Sequence, residues 1–535
     1  MLHLNNDVIS LLCEYMNKVD IDSLSRTCKI LYNNTLTHKL NHFVLNLEKF
    51  EKGDEVPRFA RVLANSVAFI QSPSIKHITF SRYFNKPIEG ILPCNLTHLT
   101  FGTDFNQRID EISLLNKLTH LTFSGDFNQP IDGILPCNLT HLTFGGKFNQ
   151  QIQELLPSSL THLTFGCRFN QPIEGILPSN LKHLKFGSNF NQPIPEGTLP
   201  LSLTHLIFGW IFKQPIQGLF SLKNLTHLSF SYCYDKLIEE KLPPNLTHLH
   251  FSNRFNQPIE GILPYNLTEL SFGCYYYQKI TMLPSSLTHL HLSCSFDQPI
   301  EGILPLSLTH LTFGYHFNQP IEGKLPANLT HLTFGRLFNQ PIQGLLLPNN
   351  LTHLEFGHNF NQPITGMLPS GLTHLTFGDS FNQSTEGVSL LKNLTHLTFG
   401  DAFNQSIEGV LPPKLTHLTF GKCFNQPIDG ILLLKNLTHL TFGKEFNQSI
   451  EGRLPHSLTH LTFGCNFNQQ IVEMLPPNLL YINGWKYNCC SLTTPKWKKF
   501  KIDSFECTLT SSRSSGWCQL FCRTCILAFI LASIA

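Results

Sequence analysis

A motif of 20 to 22 residues repeats along most of this chain, and its best copies read LTHLTFGxxFNQPIEGxLPxN, as in residues 308–328. A fixed period in this range is typical of a solenoid, in which each repeat forms one coil and buries its apolar side chains against its neighbours. This pattern overrides the three or four globular domains that 535 residues would otherwise suggest. With the first apolar residue as position 1, the twenty copies start at Ile75, Leu96, Leu118, Leu139, Leu160, Leu181, Leu203, Leu225, Leu246, Leu267, Leu287, Leu308, Leu329, Leu351, Leu372, Leu394, Leu415, Leu437, Leu458 and Leu479.

The apolar spacing predicts one short strand in each repeat. Leu, Leu and Phe at positions 1, 4 and 6 have the L-x-x-L-x-L spacing of a leucine-rich-repeat strand, with positions 4 and 6 inward and positions 3, 5 and 7 outward. Phe at position 10 and Ile at position 14 should complete the core. The return segment, IEGxLPxN, holds Gly and Pro and is too short for a full helix. We therefore expect a mainly β fold, a leucine-rich-repeat-like parallel β solenoid of about 20 coils.

Asn at position 11 recurs in fifteen of the nineteen units that contain this position. An amide side chain can both donate and accept hydrogen bonds, so a column of buried Asn side chains could bond the backbone of one turn to that of the next. The exceptions are Lys213, Asp235, Tyr277 and Asp297.

The recurring FNQPI sequence resembles the FNIP repeat, a divergent leucine-rich-repeat relative found in social amoebae and in giant DNA viruses of amoebae. The resemblance covers about residues 75–485. It implies a repeat solenoid of the leucine-rich-repeat kind.

Residues 1–46 carry no repeat and are expected to form short amphipathic helices, with Asn6 or Asp7 capping the first and Asp20 the second. The segment resembles an F-box, the helical module that docks onto the Skp-type linker of a cullin ubiquitin ligase. Asn5 stands where that family usually has Pro. A plain helical cap on the solenoid is the alternative interpretation. The residues that match the F-box pattern, and that the resemblance implies contact the linker, are Leu4, Val8, Ile9, Leu12, Met16, Leu24, Cys28 and Leu31.

The remaining segments flank the repeats. Residues 47–74 are interpreted as a connector and N-terminal cap, with a helix expected over RFARVLANSVAF at 58–69. Residues 486–535 are interpreted as a C-terminal cap and an apolar tail. The uninterrupted apolar run from Cys525 has only eleven residues, short of the roughly 20 that span a bilayer, so a membrane partner is not expected. A weak membrane anchor in this tail is the alternative.

Composition argues against several classes of function. A net charge of +2 with only 14% charged residues provides no basic field for nucleic acid. No phosphate-binding loop, nucleophile elbow or carboxylate pair interrupts the repeats, so no enzymatic activity and no cofactor are expected. The sixteen Cys residues are scattered and no signal peptide opens the chain, which favours free thiols in a reducing cytoplasm, that of the host if the chain is viral.

His occupies position 3 in eighteen of twenty units. Neighbouring strands lie about 4.8 Å apart, so these imidazoles should form an outward-facing ladder. A metal site is the alternative, although a uniform column lacks a local ligand set. Like-charge crowding should lower the pKa of these rings, so stability should fall as the pH drops through about 6.5.

A run of central repeats departs from the consensus, and we interpret it as a target-binding patch because Trp, Tyr and Arg are common at binding hot spots. Drift of the central repeats without function is the alternative. Position 5 differs from Thr in six successive units, and nearby positions change with it. The patch comprises Lys185, Ile207, Trp210, Ser229, Tyr232, His250, Arg254, Glu269, Ser271, Tyr275 and His291.

Together these features predict a non-catalytic substrate-recognition adaptor of a Skp–cullin–F-box type ubiquitin ligase. Its N-terminal helices would bind the linker, and its solenoid would bind an unknown target protein. The alternative is an interaction scaffold without a ligase role.

Overall fold

The computed structural model describes residues 45–46, 61–64, 75–321, 325–343, 345–469 and 475–483. The chain divides into two compact units, residues 1–383 and 384–535. The F-box-like residues, from Leu4 to Leu31, lie outside the described residues, as does the tail from residue 484 onward. The interpretations of both segments therefore stay predictions.

In nearly every repeat the strand is confined to positions 3 to 5. In the described part of the first unit the strands are Leu45–Asn46 (β1), Arg61–Ala64 (β2), His77–Phe80 (β3), His98–Thr100 (β4), His120–Thr122 (β5), His141–Thr143 (β6), His162–Thr164 (β7), His183–Lys185 (β8), His205–Ile207 (β9), His227–Ser229 (β10), His248–His250 (β11), Glu269–Ser271 (β12), His289–His291 (β13), His310–Thr312 (β14), His331–Thr333 (β15), His353–Glu355 (β16) and His374–Thr376 (β17). The described strands of the second unit are His396–Thr398 (β18), His417–Thr419 (β19), His439–Thr441 (β20), His460–Thr462 (β21) and Tyr481–Asn483 (β22).

Within each unit, successive strands pair in parallel and in register. In β6 and β7, for example, His141 lies opposite His162 and Thr143 opposite Thr164. The same position of each repeat therefore forms a column across the sheet. The expected parallel solenoid with one strand per repeat is confirmed.

The sheet of the first unit also includes two strands that precede the repeats. β2 pairs in parallel with β3, placing Arg61 opposite His77, and β1 pairs with β2. The helix expected over residues 58–69 is therefore wrong at Arg61–Ala64. The edge of a parallel sheet offers unpaired backbone groups, and a strand satisfies them where a helix could not.

The return segments are turns in most repeats, as expected, but four of those that the structure describes contain a short 3₁₀ helix. In these four the Leu-Pro pair is replaced by a Pro-free sequence, such as SLLNK at 113–117, which leaves backbone N–H groups able to close tight turns. The helices are Asp110–Leu114 and Leu219–Ser221 in the first unit and Val388–Leu390 and Asp429–Leu433 in the second.

The five predicted positions supply most of the core, and in many repeats an apolar residue of the return segment is buried as well, for example Leu156 and Leu242. In the repeat that begins at Leu160, the side chains at positions 1, 4, 6, 10 and 14 are all at most 2% exposed. Phe165 and Phe169 stack within this coil at 3.9 Å between ring centroids, and Phe169 stacks on Phe190 of the next coil at 6.2 Å. Each coil thus buries its rings between its neighbours, which is why a single repeat could not fold alone.

Position 7 does not point outward into solvent as expected. A Cβ added to Gly145 would lie 2.1 Å from the carbonyl oxygen of Ser124 in the preceding coil, so a side chain here has no space. Where Ser replaces Gly in the central repeats, as at Ser252 and Ser293, it is buried. Gly is favoured in the return segment for a different reason. Gly175, for example, has φ +75°, a left-handed conformation that residues with a side chain disfavour.

The Asn side chains at position 11 form the expected ladder, although they are half-buried or exposed rather than buried. The backbone N–H of Asn191 donates to Oδ1 of Asn170 in the preceding coil at 2.9 Å, and Nε2 of Gln192 donates to the backbone oxygen of Asn170. The side chains of Lys213 and Tyr277 have no carbonyl or carboxylate oxygen to take the place of Oδ1 of Asn. These two residues therefore cannot extend the ladder. Both interruptions fall in the central repeats.

Candidate interaction surface

The His residues at position 3 stack into the predicted ladder on the outward side of the sheet. In the first unit, successive rings from His77 to His248 lie 4.0 to 4.1 Å apart between centroids, and their planes are nearly parallel. The stack arises because the strands are in register and because both neighbours of each ring are imidazoles.

A Thr at position 2 fixes the orientation of most of the rings, whereas His77 and His183 follow Lys76 and Lys182. Thr140 Oγ1 lies 2.9 Å from Nδ1 of His141 and 3.0 Å from the backbone oxygen of Thr119 in the preceding coil. The hydroxyl has one hydrogen, so when it donates to the carbonyl, Nδ1 must carry the proton and Nε2 is the acceptor. The Thr-His pair therefore repeats as one hydrogen-bonded unit in coil after coil.

The environment of the ladder lowers the pKa of its rings. Partial burial is the main cause and neighbouring imidazoles are the second, and together they lower the pKa of His120, His162 and His310 to about 4. The direction agrees with the sequence-based expectation. The order of causes does not, because crowding by like charges was expected to dominate.

Glu269 interrupts the ladder in the middle of the first unit. Its Oε2 lies 3.6 Å from Nε2 of His248, and the stack of rings resumes between His289 and His310 at 4.1 Å. A carboxylate here contacts an imidazole of the preceding coil and is half-exposed. Glu269 therefore places an acidic group within the column of His side chains.

The ladder does not converge on a metal. Stacked parallel rings direct their ring nitrogens side by side, whereas tetrahedral ligation needs them aimed at a common point about 2 Å away. Within the described ranges, no group of three or more His, Cys, Asp or Glu side chains could hold a metal ion.

The turn after each strand forms a second set of columns, at positions 8 and 9. The backbone N–H of position 9 donates to the carbonyl of position 8 in the preceding coil, for example from Cys233 to Trp210 at 3.0 Å and from Tyr275 to Asn253 at 2.8 Å. These bonds need no particular side chain. The backbone therefore fixes where the position-8 side chain lies in each coil, while the residue type at that position is free to vary.

Position 8, like position 9, holds varied side chains, and several of those at position 8 contact one another from coil to coil. Trp210 stacks on Tyr232 with ring centroids 4.0 Å apart and planes 6° apart. We call this series the position-8 column. Further along it in the first unit, the pairs in contact include Cys274 and Cys294, Tyr315 and Arg336, and His358 and Asp379.

The structure places the residues of the predicted patch on two parts of the surface. Lys185, Ile207, Ser229, His250, Ser271 and His291 occupy position 5 at the ends of their strands, and Glu269 occupies position 3. Trp210 and Tyr232 lie in the position-8 column, and Arg254 and Tyr275 in the adjacent position-9 column. Ser271 is 7% exposed and contributes little surface, whereas Trp210 and Tyr275 are 55% and 54% exposed.

Sequence reasoning missed the extent of the position-8 column beyond Tyr232. Its signal was present in the sequence, because position 8 changes in nearly every repeat while positions 1 to 4 hardly change. Without the turn geometry, nothing indicated that these side chains touch.

The fold and the exposed columns define a class of protein, a leucine-rich-repeat-like parallel β-solenoid that offers a side-chain surface consistent with a protein-interaction scaffold. Within the residues that the structure describes, no helix is long and apolar enough to cross a membrane.

The chain belongs to the FNIP Repeat family, whose model matches it in successive segments from residue 84 to residue 483. Its structure is similar to the crystal structure of CroV588, described as a novel circular LRR protein, with a TM-score of 0.68 and 51% sequence identity. That match covers 80% of this chain and 64% of the CroV588 chain, so this chain spans less than two thirds of that relative.

Two further similarities are more distant. YopM from Yersinia enterocolitica WA-314 has 18% identity and a TM-score of 0.41, covering 78% of this chain and 84% of its own. The TLR13 chain of the TLR13–ssRNA13 complex has 14% identity and a TM-score of 0.45, covering 79% of this chain and 66% of its own. No curated protein matches the chain.

Proposed function

We propose that this chain is the substrate-recognition adaptor of a Skp–cullin–F-box type ubiquitin ligase. The N-terminal segment binds the Skp-type linker, and the position-8 column with its neighbours binds a target protein. The chain itself performs no chemistry. Its contribution is proximity, which raises the concentration of the target near the transferring enzyme.

The observation that carries target binding is the stacked pair Trp210 and Tyr232. Trp210 is exposed and Tyr232 is half-buried. A surface aromatic pair held in parallel contact loses little side-chain freedom on binding and offers a large apolar area with a polar edge, which favours a protein partner. Tyr275, in the position-9 column two coils further on, adds a third half-exposed ring. Aromatic residues are enriched at the centres of protein interfaces. The face formed by Thr and His repeats the same side chains in coil after coil and has no local feature that would distinguish one partner from another.

Target binding is tested with the full-length chain and a triple variant, Trp210→Ala, Tyr232→Ala and Tyr275→Ala. We expect this variant to lose the proteins captured by the wild type from a cell of its natural setting, as read by quantitative mass spectrometry. Tyr265→Ala is the matched control, because Tyr265 is 72% exposed but lies in a return segment, away from the two columns. Equal capture by the triple variant and by the wild type would contradict the assignment of this surface.

The ligase role is tested separately at the N-terminal segment. Leu12→Asp and Met16→Asp replace two apolar residues of the F-box-like pattern. We expect the full-length double variant to lose a Skp-type linker that the wild type retains, while keeping the captured targets. If the chain is viral, the linker and the ligase belong to the host cell, and both assays use host cytoplasm.

A scaffold without a ligase role is the second candidate, and Asn5 favours it because the F-box family usually has Pro at that position. In that case the wild-type chain captures targets but no Skp-type linker, and the double variant behaves as the wild type does.

A further inference from the structure

The position-8 column contains a pair of free thiols in contact. Sγ of Cys294 lies 3.5 Å from Sγ of Cys274, which belongs to the preceding coil. We infer that Cys274 and Cys294 form a dithiol site, which a small-molecule disulfide such as oxidised glutathione converts into an intramolecular disulfide joining two successive coils.

The backbone already holds the two cysteines at a distance suited to this bond. Cys274 and Cys294 occupy the same turn position after β12 and β13, two strands that pair in register. Neighbouring strands are about 4.8 Å apart, within the 4.4 to 6.8 Å between Cα atoms that disulfides span. The sulfurs therefore need to move by only about 1.5 Å to reach bonding distance.

The side chain of Ser293 links the two turns by hydrogen bonds. Its Oγ donates to the carbonyl oxygen of Cys274 at 2.8 Å and accepts from the backbone N–H of Tyr276 at 3.0 Å. Ser293 is fully buried, so these bonds are shielded from water. The N–H of Ser295 also donates to the carbonyl of Cys274 at 2.8 Å. The turns cannot separate without breaking these bonds, so the thiols stay close.

The two thiols differ in access, which sets the order of the reaction. Cys294 is exposed and Cys274 is half-buried, and burial beside the Cys294 thiol raises the pKa of Cys274. The Cys294 thiolate attacks one sulfur of the small disulfide and releases the first small thiol. Cys274 then loses its proton and attacks Sγ of Cys294, releasing the second. Two protein thiols and one small disulfide become one protein disulfide and two small thiols, so atoms and electrons balance.

The second step distinguishes this pair from the other described cysteines. Cys137 and Cys167 are also exposed free thiols, but within the described residues no second sulfur lies in contact with them. A mixed disulfide on either should persist. A mixed disulfide on Cys294 should be attacked at once by Cys274, because a neighbouring nucleophile reacts at a high effective concentration.

The experiment treats the full-length reduced protein with oxidised glutathione and maps its tryptic peptides without reduction. Cys274 is the only cysteine of residues 255–279 and Cys294 the only one of residues 280–324, so the link appears as a joined pair of these two peptides. We expect the joined pair to be the main product at this site. In Cys274→Ser, we expect glutathione to remain on Cys294 at roughly tenfold or more the wild-type amount.

Controls make the outcome decisive. Cys167→Ser should leave the joined pair unchanged, and thermal melting of each variant shows that it is folded. A wild-type protein that keeps glutathione on Cys294 as fully as Cys274→Ser does would overturn the inference. A Cys294 that stays unmodified under conditions that modify Cys137 would overturn it as well.

Discussion

Acidification should destabilise the solenoid through its imidazole ladder. An unfolded His has a pKa of about 6.5, whereas in the folded chain His120 and His162 have a pKa of about 4. Between these values the unfolded state binds more protons than the folded state. The stability that the neutral ladder provides is therefore complete above pH 6.5 and is lost as the pH falls towards 4.

The magnitude follows from the size of the shift and the exposure of the rings. For a pKa that moves from about 6.5 to about 4, linkage gives an upper limit of about 2 kcal/mol per ring at pH 5. The rings are partly open to solvent, so we discount this for screening to roughly 0.6 kcal/mol each. The three rings lowered to about 4, His120, His162 and His310, then contribute about 2 kcal/mol between pH 8 and pH 5.

Differential scanning calorimetry at pH 8, 6.5, 5.5 and 5 measures this effect as a fall in Tm of a few degrees, most of it below pH 6.5. Burial is the larger cause of the shift, so most of the fall should persist in 1 M salt, which screens only the repulsion between rings.

A ladder variant provides the specific test. Replacing His120, His141, His162 and His183 by Gln removes four successive titrating rings, and we expect a visibly flatter dependence of Tm on pH. His316→Gln, an exposed residue at position 9, outside the ladder, is the matched control and should behave as the wild type. A Tm equal at pH 8 and pH 5, or an unchanged slope in the ladder variant, would refute the reasoning.

Three further predictions concern stability and are read by chemical or thermal unfolding. Gly145→Ala should destabilise by roughly 3 kcal/mol, because its Cβ would clash with a carbonyl 2.1 Å away, whereas Gly146→Ala, whose Cβ meets nothing closer than 3.7 Å, should change little. Asn170→Ala should cost about 1 to 2 kcal/mol by removing the acceptor of the next coil's N–H, and Asn170→Asp should retain most of the bond; equal losses would argue against the ladder. Tyr276→Phe should stabilise by about 1 kcal/mol, because the buried hydroxyl has no hydrogen-bond partner among the described residues, while Tyr275→Phe on the surface should be neutral.

The repeat period made most of the fold predictable. The spacing of Leu, Leu and Phe within one repeat defined the strand and its inward side chains, and twenty copies of the motif identified the parallel register. The prediction for position 7 was wrong because alternation along a strand assumes that the strand continues. Here the strand ends at position 5, and the close approach of the preceding coil at Gly145 is visible only in three dimensions.

The candidate surface was predictable only in part. Departures from a uniform consensus marked Trp210 and Tyr232, and the structure brings them into contact. Sequence alone could not show that Ser271 is buried or that Cys274 meets Cys294, because both depend on the turn geometry between coils. The helix expected at Arg61–Ala64 was wrong for a similar reason, since pairing with β3 overrides local helical propensity.

Engineered cysteine pairs test most directly whether each repeat is one coil in register with the next. Thr122 and Thr143 are paired residues of β5 and β6, whereas Thr164 lies one strand further on. After mild oxidation and peptide mapping, Thr122→Cys with Thr143→Cys should form a disulfide in high yield. Thr122→Cys with Thr164→Cys, about 10 Å apart, should not. Equal yields from the two pairs, or a higher yield from the second, would contradict the solenoid and the columns derived from it.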